Sequence, residues 1–214
     1  MATLDLQVGA SLDDCMVYWT GVAWAIDLNQ SLVNGQQVGY NAADFCKAGG
    51  GMRFLNVTIP QGATITTAYL TITARSTDSL TTVNSVIVGE DADNAAAFST
   101  LDNYKGRRGT VVGGANNNNI TSASVNFNSI PSWTTDTAYN SPDIKTIIQE
   151  IVNRAGWVSG NALVLYWDDH ANASTNTDGT RRGGYCYDGS TSLCVKLHIE
   201  YTTVVGRSYG FIIG

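Results

Sequence analysis

The sequence predicts an all-β protein, a two-sheet antiparallel β-sandwich with one capping α-helix over about Pro142–Ala155. Three observations carry this. Short runs of Val, Ile, Leu and Thr alternate with polar residues at a period of two, as in strands with one covered face. Turn-forming residues separate them, with 22 Gly against 3 Pro. Only one stretch, SPDIKTIIQEIVNRAGW (Ser141 to Trp157), has helical periodicity over its whole length.

Taken in order, GMRFLNVTIP (Gly51 to Pro60) alternates, QGATI turns, and TTAYLTITA (Thr66 to Ala74) alternates again. In the latter, Ala68, Leu70, Ile72 and Ala74 share one face and Tyr69, Thr71 and Thr73 the other. NSVIVGED (Asn84 to Asp91) and SASVNFNSI (Ser122 to Ile130) add strands. In the helix, Ser141 suits the N-cap, Pro142 the first turn, Asp143 the positive end of the dipole and Gly156 the position past the end. Ile144, Ile147, Ile148, Ile151, Val152 and Ala155 recur at steps of three and four, so the helix should seal an open end of the sandwich. NALVLYW (Asn161 to Trp167), RRGGYCYD (Arg181 to Asp188) and LCVKLHIEY (Leu193 to Tyr201) follow, the last with Leu193, Val195, Leu197, Ile199 and Tyr201 on its core side. About eight such strands, joined by Gly, Asn and Ser turns, point to a jelly roll. GGANNNN (Gly113 to Asn119) and ANASTNTDGT (Ala171 to Thr180) are polar loops.

A chain of 214 residues can bury one core, so residues 1–202 form one expected domain. The remaining 203–214 end in Phe211, Ile212 and Ile213, an apolar tail expected to dock on this domain or on a neighbouring subunit.

A net charge of -6 argues against a nucleic-acid partner, which would call for clustered Lys and Arg. No apolar run approaches the roughly 18 to 20 residues needed to cross a bilayer, and MATLDLQVGASLDD lacks the basic and apolar regions of a secretory leader. The low-charge, Thr/Asn/Gly-rich texture suits a surface outside cells. An expected location is therefore a virion or the extracellular space, with assembly in the host cytoplasm in the former case.

Of the 4 cysteines, Cys186 and Cys194 flank YDGSTSL and would face each other across a hairpin, as a disulfide or as two thiols. Neither His170 nor His198 sits in a frame for nucleophilic or acid–base catalysis, so no catalytic residue is expected. Acidic clusters at Asp13 and Asp14, at Glu90, Asp91 and Asp93, and at Asp168 and Asp169 supply the oxygens a structural calcium takes. Solvated turn acids are the plainer reading. Trp19, Trp24 and Trp133 lie in Gly- or Thr-rich surroundings and are the candidate sugar platforms, against a role in core or subunit interface. The pairs Arg107 and Arg108, and Arg181 and Arg182, would grip the carboxylates of an acidic glycan two-prongedly. Asn29, Asn56, Asn119 and Asn172 match N-x-S/T by chance.

GMRFLNVTIPQGATITTAYLTITA, VIVGEDADNAAAFS, YNSPDIKTIIQEIVNRAGWVSGNALVLYWDD and RRGGYCYDGSTSLCVKLHIEYT together resemble a family of β jelly-roll domains. That family is similar to the alginate-binding class of carbohydrate-binding modules and occurs also in phage and virion-like proteins. VGASLDDCMVYW looks like its first strand, and Pro60, Gly62, Trp157, Gly160 and Asn161 look architectural. The resemblance implies a non-enzymatic structural or assembly protein, a capsid decoration or fibre-type subunit that forms homo-oligomers with other virion or filament subunits. The alternative it implies is an extracellular module that binds an acidic polysaccharide.

Overall fold

A computed structural model describes residues 1–28, 35–41, 45–109 and 119–203. The apolar tail with Phe211, Ile212 and Ile213, residues 113–118 of the Asn-rich loop, and Asn29 lie outside the described residues. The strands are β1 (Ala2–Gln7), β2 (Asp14–Trp19), β3 (Trp24–Asp27), β4 (Gln36–Asn41), β5 (Phe45–Phe54), β6 (Thr64–Thr73), β7 (Ser85–Glu90), β8 (Ile120–Phe127), β9 (Ala138–Asn140), β10 (Leu163–Asp168), β11 (Arg181–Gly184) and β12 (Lys196–Thr202). Two helices, α1 (Leu101–Arg107) and α2 (Lys145–Val152), stand between β7 and β8 and between β9 and β10.

Pairing within each sheet is antiparallel. One sheet has four strands in the order β1-β12-β6-β9. The other has eight: β11-β4-β5-β10-β7-β8 form its path, and β2 pairs with β5 and carries β3. The expected all-β sandwich is therefore the observed architecture. Leu70, Ile72, Leu197 and Ile199 from the small sheet meet Met52, Phe54, Ile87, Leu163, Leu165 and Trp167 from the large one. The period-two alternation drives this, since it puts each strand's apolar side chains on the covered face.

Two expected hairpins are not formed. β5 and β6 belong to different sheets, so Leu55–Ala63 is an arch between layers, with Val57 and Ile59 buried in it. Likewise β11 lies in the large sheet and β12 in the small one, so the chain between them crosses the sandwich. Cys186 and Cys194 are accordingly not cross-strand partners, and of the two expected states, disulfide or two thiols, the structure has two buried thiols. Alternation reveals which face is covered but not which strand lies alongside.

Helix α2 is shorter than expected at both ends, running Lys145–Val152. Ile144, Ile147, Ile148, Ile151 and Val152 are all buried, as the periodicity requires, but Ala155 is exposed. Ser141, the expected N-cap, serves the sheet instead, its Oγ accepting the Leu70 N–H at 3.0 Å. Asp143 serves both, its Oδ1 accepting the Lys145 N–H at the start of the helix at 2.9 Å and the Ala68 N–H at 3.1 Å. Gln149 Oε1 accepts the Ile65 N–H at 2.9 Å, and on the far side Glu150 accepts the N–H groups of Ser122 and Ala123 at 2.7 and 2.8 Å. The helix thus closes the gap between β6 and β8 and satisfies edge donors of both, which would otherwise be open to pairing with another chain.

Helix α1 has no counterpart in the expected elements. It covers the outer face of the large sheet and creates a second, smaller core there, with Cys15, Val17, Val88, Phe98, Tyr104, Val164 and Tyr166.

Candidate functional site

Glu90, Arg107, Arg108 and Asp168 meet on this outer face, with Trp19 and Trp24 at its rim. Along β7 and β10 the outward positions are Val88 and Glu90, and Val164, Tyr166 and Asp168; the inward ones are Ile87, and Leu163, Leu165 and Trp167. Glycine lets the cover approach. A Cβ on Gly51 would stand 2.2 Å from the Phe98 ring, and one on Gly49 would stand 2.0 Å from Asp168 Cβ.

Thr100 starts α1 by accepting the Asn103 N–H on its hydroxyl at 3.0 Å. The helix then delivers Tyr104, Arg107 and Arg108 to the sheet. Arg107 forks onto Glu90, with Nε to Oε1 at 2.9 Å and Nη2 to Oε2 at 2.5 Å, while its guanidinium lies 4.7 Å from the Phe98 ring centre. Arg108 forks onto Asp168, with Nε to Oδ2 at 2.8 Å and Nη2 to Oδ1 at 3.1 Å. Both arginines are only 8 % exposed. These are two parallel charge-assisted clamps between one helix end and neighbouring strands.

His170 completes the cluster. Its Nδ1 lies 2.8 Å from the Lys47 carbonyl, which can only accept, so Nδ1 carries the proton. Nε2 then accepts from the Tyr104 hydroxyl at 2.9 Å. Burial lowers the His170 pKa, so the ring is neutral near pH 7. Burial works against ionisation of Asp168, yet His170 and Arg108 beside it hold its pKa below the usual value. Burial likewise opposes the charge on Arg107 and Arg108, and in both the carboxylate partner outweighs it. The arrangement is a self-neutralising lock in which each charge and each ring nitrogen already has a partner.

Trp19 and Trp24 frame the hairpin of β2 and β3 at the rim of this cluster, edge to face at 5.8 Å. Trp24 stands edge-on to His170 at 5.0 Å, and Lys47 Nζ lies 6.0 Å from the centre of the Trp19 ring. Both tryptophans are half-buried.

The other candidates are elsewhere. Trp133 is no surface platform: it is 1 % exposed, stacked on Tyr139 at 4.9 Å within the inner core. Arg182 is fully buried and donates to the carbonyls of Leu80, Ile130 and Pro131, stitching three segments together. Arg181 pairs with Asp78 at 3.2 Å. The two arginine pairs therefore do not form a glycan grip.

The acidic clusters are divided in the same way. Asp13 pairs with Arg53 at 2.8 Å, and Asp91 and Asp93 both pair with Arg154. Asp169 accepts the N–H groups of Ala173 and Ser174 in a turn, and burial raises its pKa. Asp14 accepts the Tyr187 N–H at 2.9 Å. Among the described residues, no group of three or more His, Cys, Asp or Glu side chains is arranged to hold a metal ion, and Asp13, Asp14, Glu90, Asp168 and Asp169 are buried, not solvated turn acids. Also among the described residues, no helix is long and apolar enough to cross a membrane.

Sequence reasoning missed Tyr104, His170 as the hub, and the glycines of β5. The available signal was the run Gly49–Gly50–Gly51 inside a strand, which marks a close approach by another group. No protein-family model matches this chain, and no curated protein matches it.

Proposed function

We propose that this chain is a non-enzymatic structural subunit, of the capsid-decoration or fibre type found in phage-like particles. The observation that carries the reading is the lock on the outer face. Arg107, Arg108, Glu90, Asp168, Tyr104 and His170 are consumed in holding α1 to the sheet, with His170 fully buried and bonded at both ring nitrogens. Its richest chemistry thus serves the fold. The low-charge surface, net -6, and the resemblance to jelly-roll domains of virion-like proteins agree with it. Native mass spectrometry and light scattering on the full chain test it: a discrete homo-oligomer is expected. A monomer at tens of micromolar that turns over a substrate, with loss on His170→Ala in a folded variant, would overturn it.

One observation favours a second reading, glycan binding. On the outer face of the small sheet Tyr69 stacks on His198 at 4.7 Å, with Asp5 bonded to His198 at 2.7 Å and Gln7, Lys196, Thr71 and Asn140 in the next row. Hydroxyl, amide and aromatic groups on an open face suit a saccharide, with Asp5 and Glu200 there opposing a uronate polymer and Lys196 attracting one. A glycan array with wild type and Tyr69→Ala separates the readings: sugar binding that this substitution abolishes supports the second.

A further inference from the structure

Every other fully or nearly buried carboxylate in the described chain has a cation or a pair of backbone donors. Glu90 has Arg107, Asp168 has Arg108, Asp13 has Arg53 and Asp169 has two N–H groups. Asp14 is the exception. It is 0 % exposed at the start of β2, its Oδ2 holds the Tyr187 N–H, and its Oδ1 is buried with no hydrogen-bond partner.

What surrounds it is acidic or neutral. On its own strand and the turn before it are Cys15 and Asp13, whose charge is already taken by Arg53. From the crossing segment between β11 and β12 come Asp188 and the thiols of Cys186 and Cys194, all close enough to interact with it electrostatically. β1 contributes the neutral Gln7, which bonds Cys194, and β12 contributes the exposed Lys196, which acts on Cys194. Among the described residues, no cation is among the groups that act on Asp14.

The segment it holds is anchored at both ends, by the Tyr185 N–H on the Thr73 carbonyl and the Val8 N–H on the Val195 carbonyl. Between these anchors its backbone bonds are local turns, Ser190 N–H to Cys186 and Cys194 N–H to Ser190. The same stretch is tied to the body by Tyr187 to Asp14, Ser11 to Asp188, Gln7 to Thr191 and Cys194, and the Cys194 thiol to the Val8 carbonyl. A stretch held between its anchors mostly by side chains has lower local stability than the sheets and opens before them.

We propose that Asp14 is a proton-operated latch, which in its neutral form seats the crossing stretch 186–194 against β2 and in its ionised form releases it between its two anchors, uncovering the thiols of Cys186 and Cys194. Burial, reinforced by Asp188 and Asp13, raises the Asp14 pKa to about 7, which fits a carboxyl kept neutral without a cation. The sign follows from proton linkage. The seated state binds the proton more tightly than the released state, where the carboxyl is ordinary, so the seam is strongest in mild acid. It weakens as pH rises toward 7 and changes little above that.

Hydrogen exchange of the full chain, corrected for the intrinsic pH dependence of amide exchange, tests this. Exchange in 186–194 is expected to rise about a hundredfold from pH 5 to pH 8, most of it by neutrality, while α2 stays protected. Asp14→Asn is expected to remove the rise. A wild-type segment whose corrected exchange is flat with pH, or an Asp14→Asn chain that opens as wild type does, would overturn the proposal. If Asp14→Asn does not fold, Asp188→Asn decides: losing a repelling charge makes the rise level off at lower pH, and an unchanged curve overturns it.

Discussion

The inner face of the large sheet is covered by a second sheet and by α2, which brings Ile147, Ile148, Ile151 and Val152, whereas its outer face is covered by a seven-residue helix that brings two arginines. Both covers exclude water, by different means. The inner one has area enough for apolar burial to suffice, at about 25 cal/mol per Å² removed from water. The outer one is too short to be stable alone and holds a glycine, Gly106, at a cost near 1 kcal/mol relative to alanine. Directional charge pairs make up the difference. A small cover needs specific bonds where a large one needs only oil.

The contrast breaks most visibly at Trp167, which packs against Phe127 and Trp133 and donates to Ser85 at 2.8 Å. Trp167→Ala is expected to destabilise the whole domain by about 4 kcal/mol in urea unfolding, both sheets melting together. On the outer face, Arg108→Met leaves Asp168 buried without its partner and is expected to cost about 3 kcal/mol, with hydrogen exchange rising first in α1.

Acidity sharpens the comparison because the two faces respond with opposite signs. His170 has a folded pKa below its unfolded value, since burial disfavours the imidazolium. The unfolded chain therefore binds the extra proton, and the outer cover loses stability as pH falls below about 6.5, by up to about 2 kcal/mol at pH 5. The Asp14 seam gains over that interval. Exchange at pH 5 and pH 7.5 should show α1 loosening in acid while 186–194 tightens. The smallest expected effect is Thr100→Ala, which removes the α1 cap and should cost about 1 kcal/mol, measured by the same urea titration.

What could be read in the sequence divides along the same line. The faces of β6 and β12 and the buried aliphatics of α2 followed from periodicity, because apolar spacing alone decides them. The ends of α2 did not: Ser141 suits a helix cap and a strand-edge cap equally, and only the proximity of β6 decides for the edge, while Asp143 bonds both. Sheet membership of β5 and β6 was hidden for a similar reason, as an arch and a hairpin share one alternating pattern. Helix α1 was hidden by its brevity, LDNYKGR being too short for a periodic signal. Arg107 and Arg108 were singled out as ligand contacts because paired guanidiniums do suit external carboxylates. Their actual carboxylates, Glu90 and Asp168, are 17 and 60 residues away in the chain.

A double-mutant cycle across Arg108 and Asp168 tests most directly that the outer cluster is a lock closed on itself. Arg108→Met and Asp168→Leu should each destabilise, and the double variant should recover most of the loss, a coupling of about 3 kcal/mol. Single variants that unfold at the wild-type urea concentration, with α1 equally protected in all four proteins, would contradict the account and return these side chains to the role of ligand contacts.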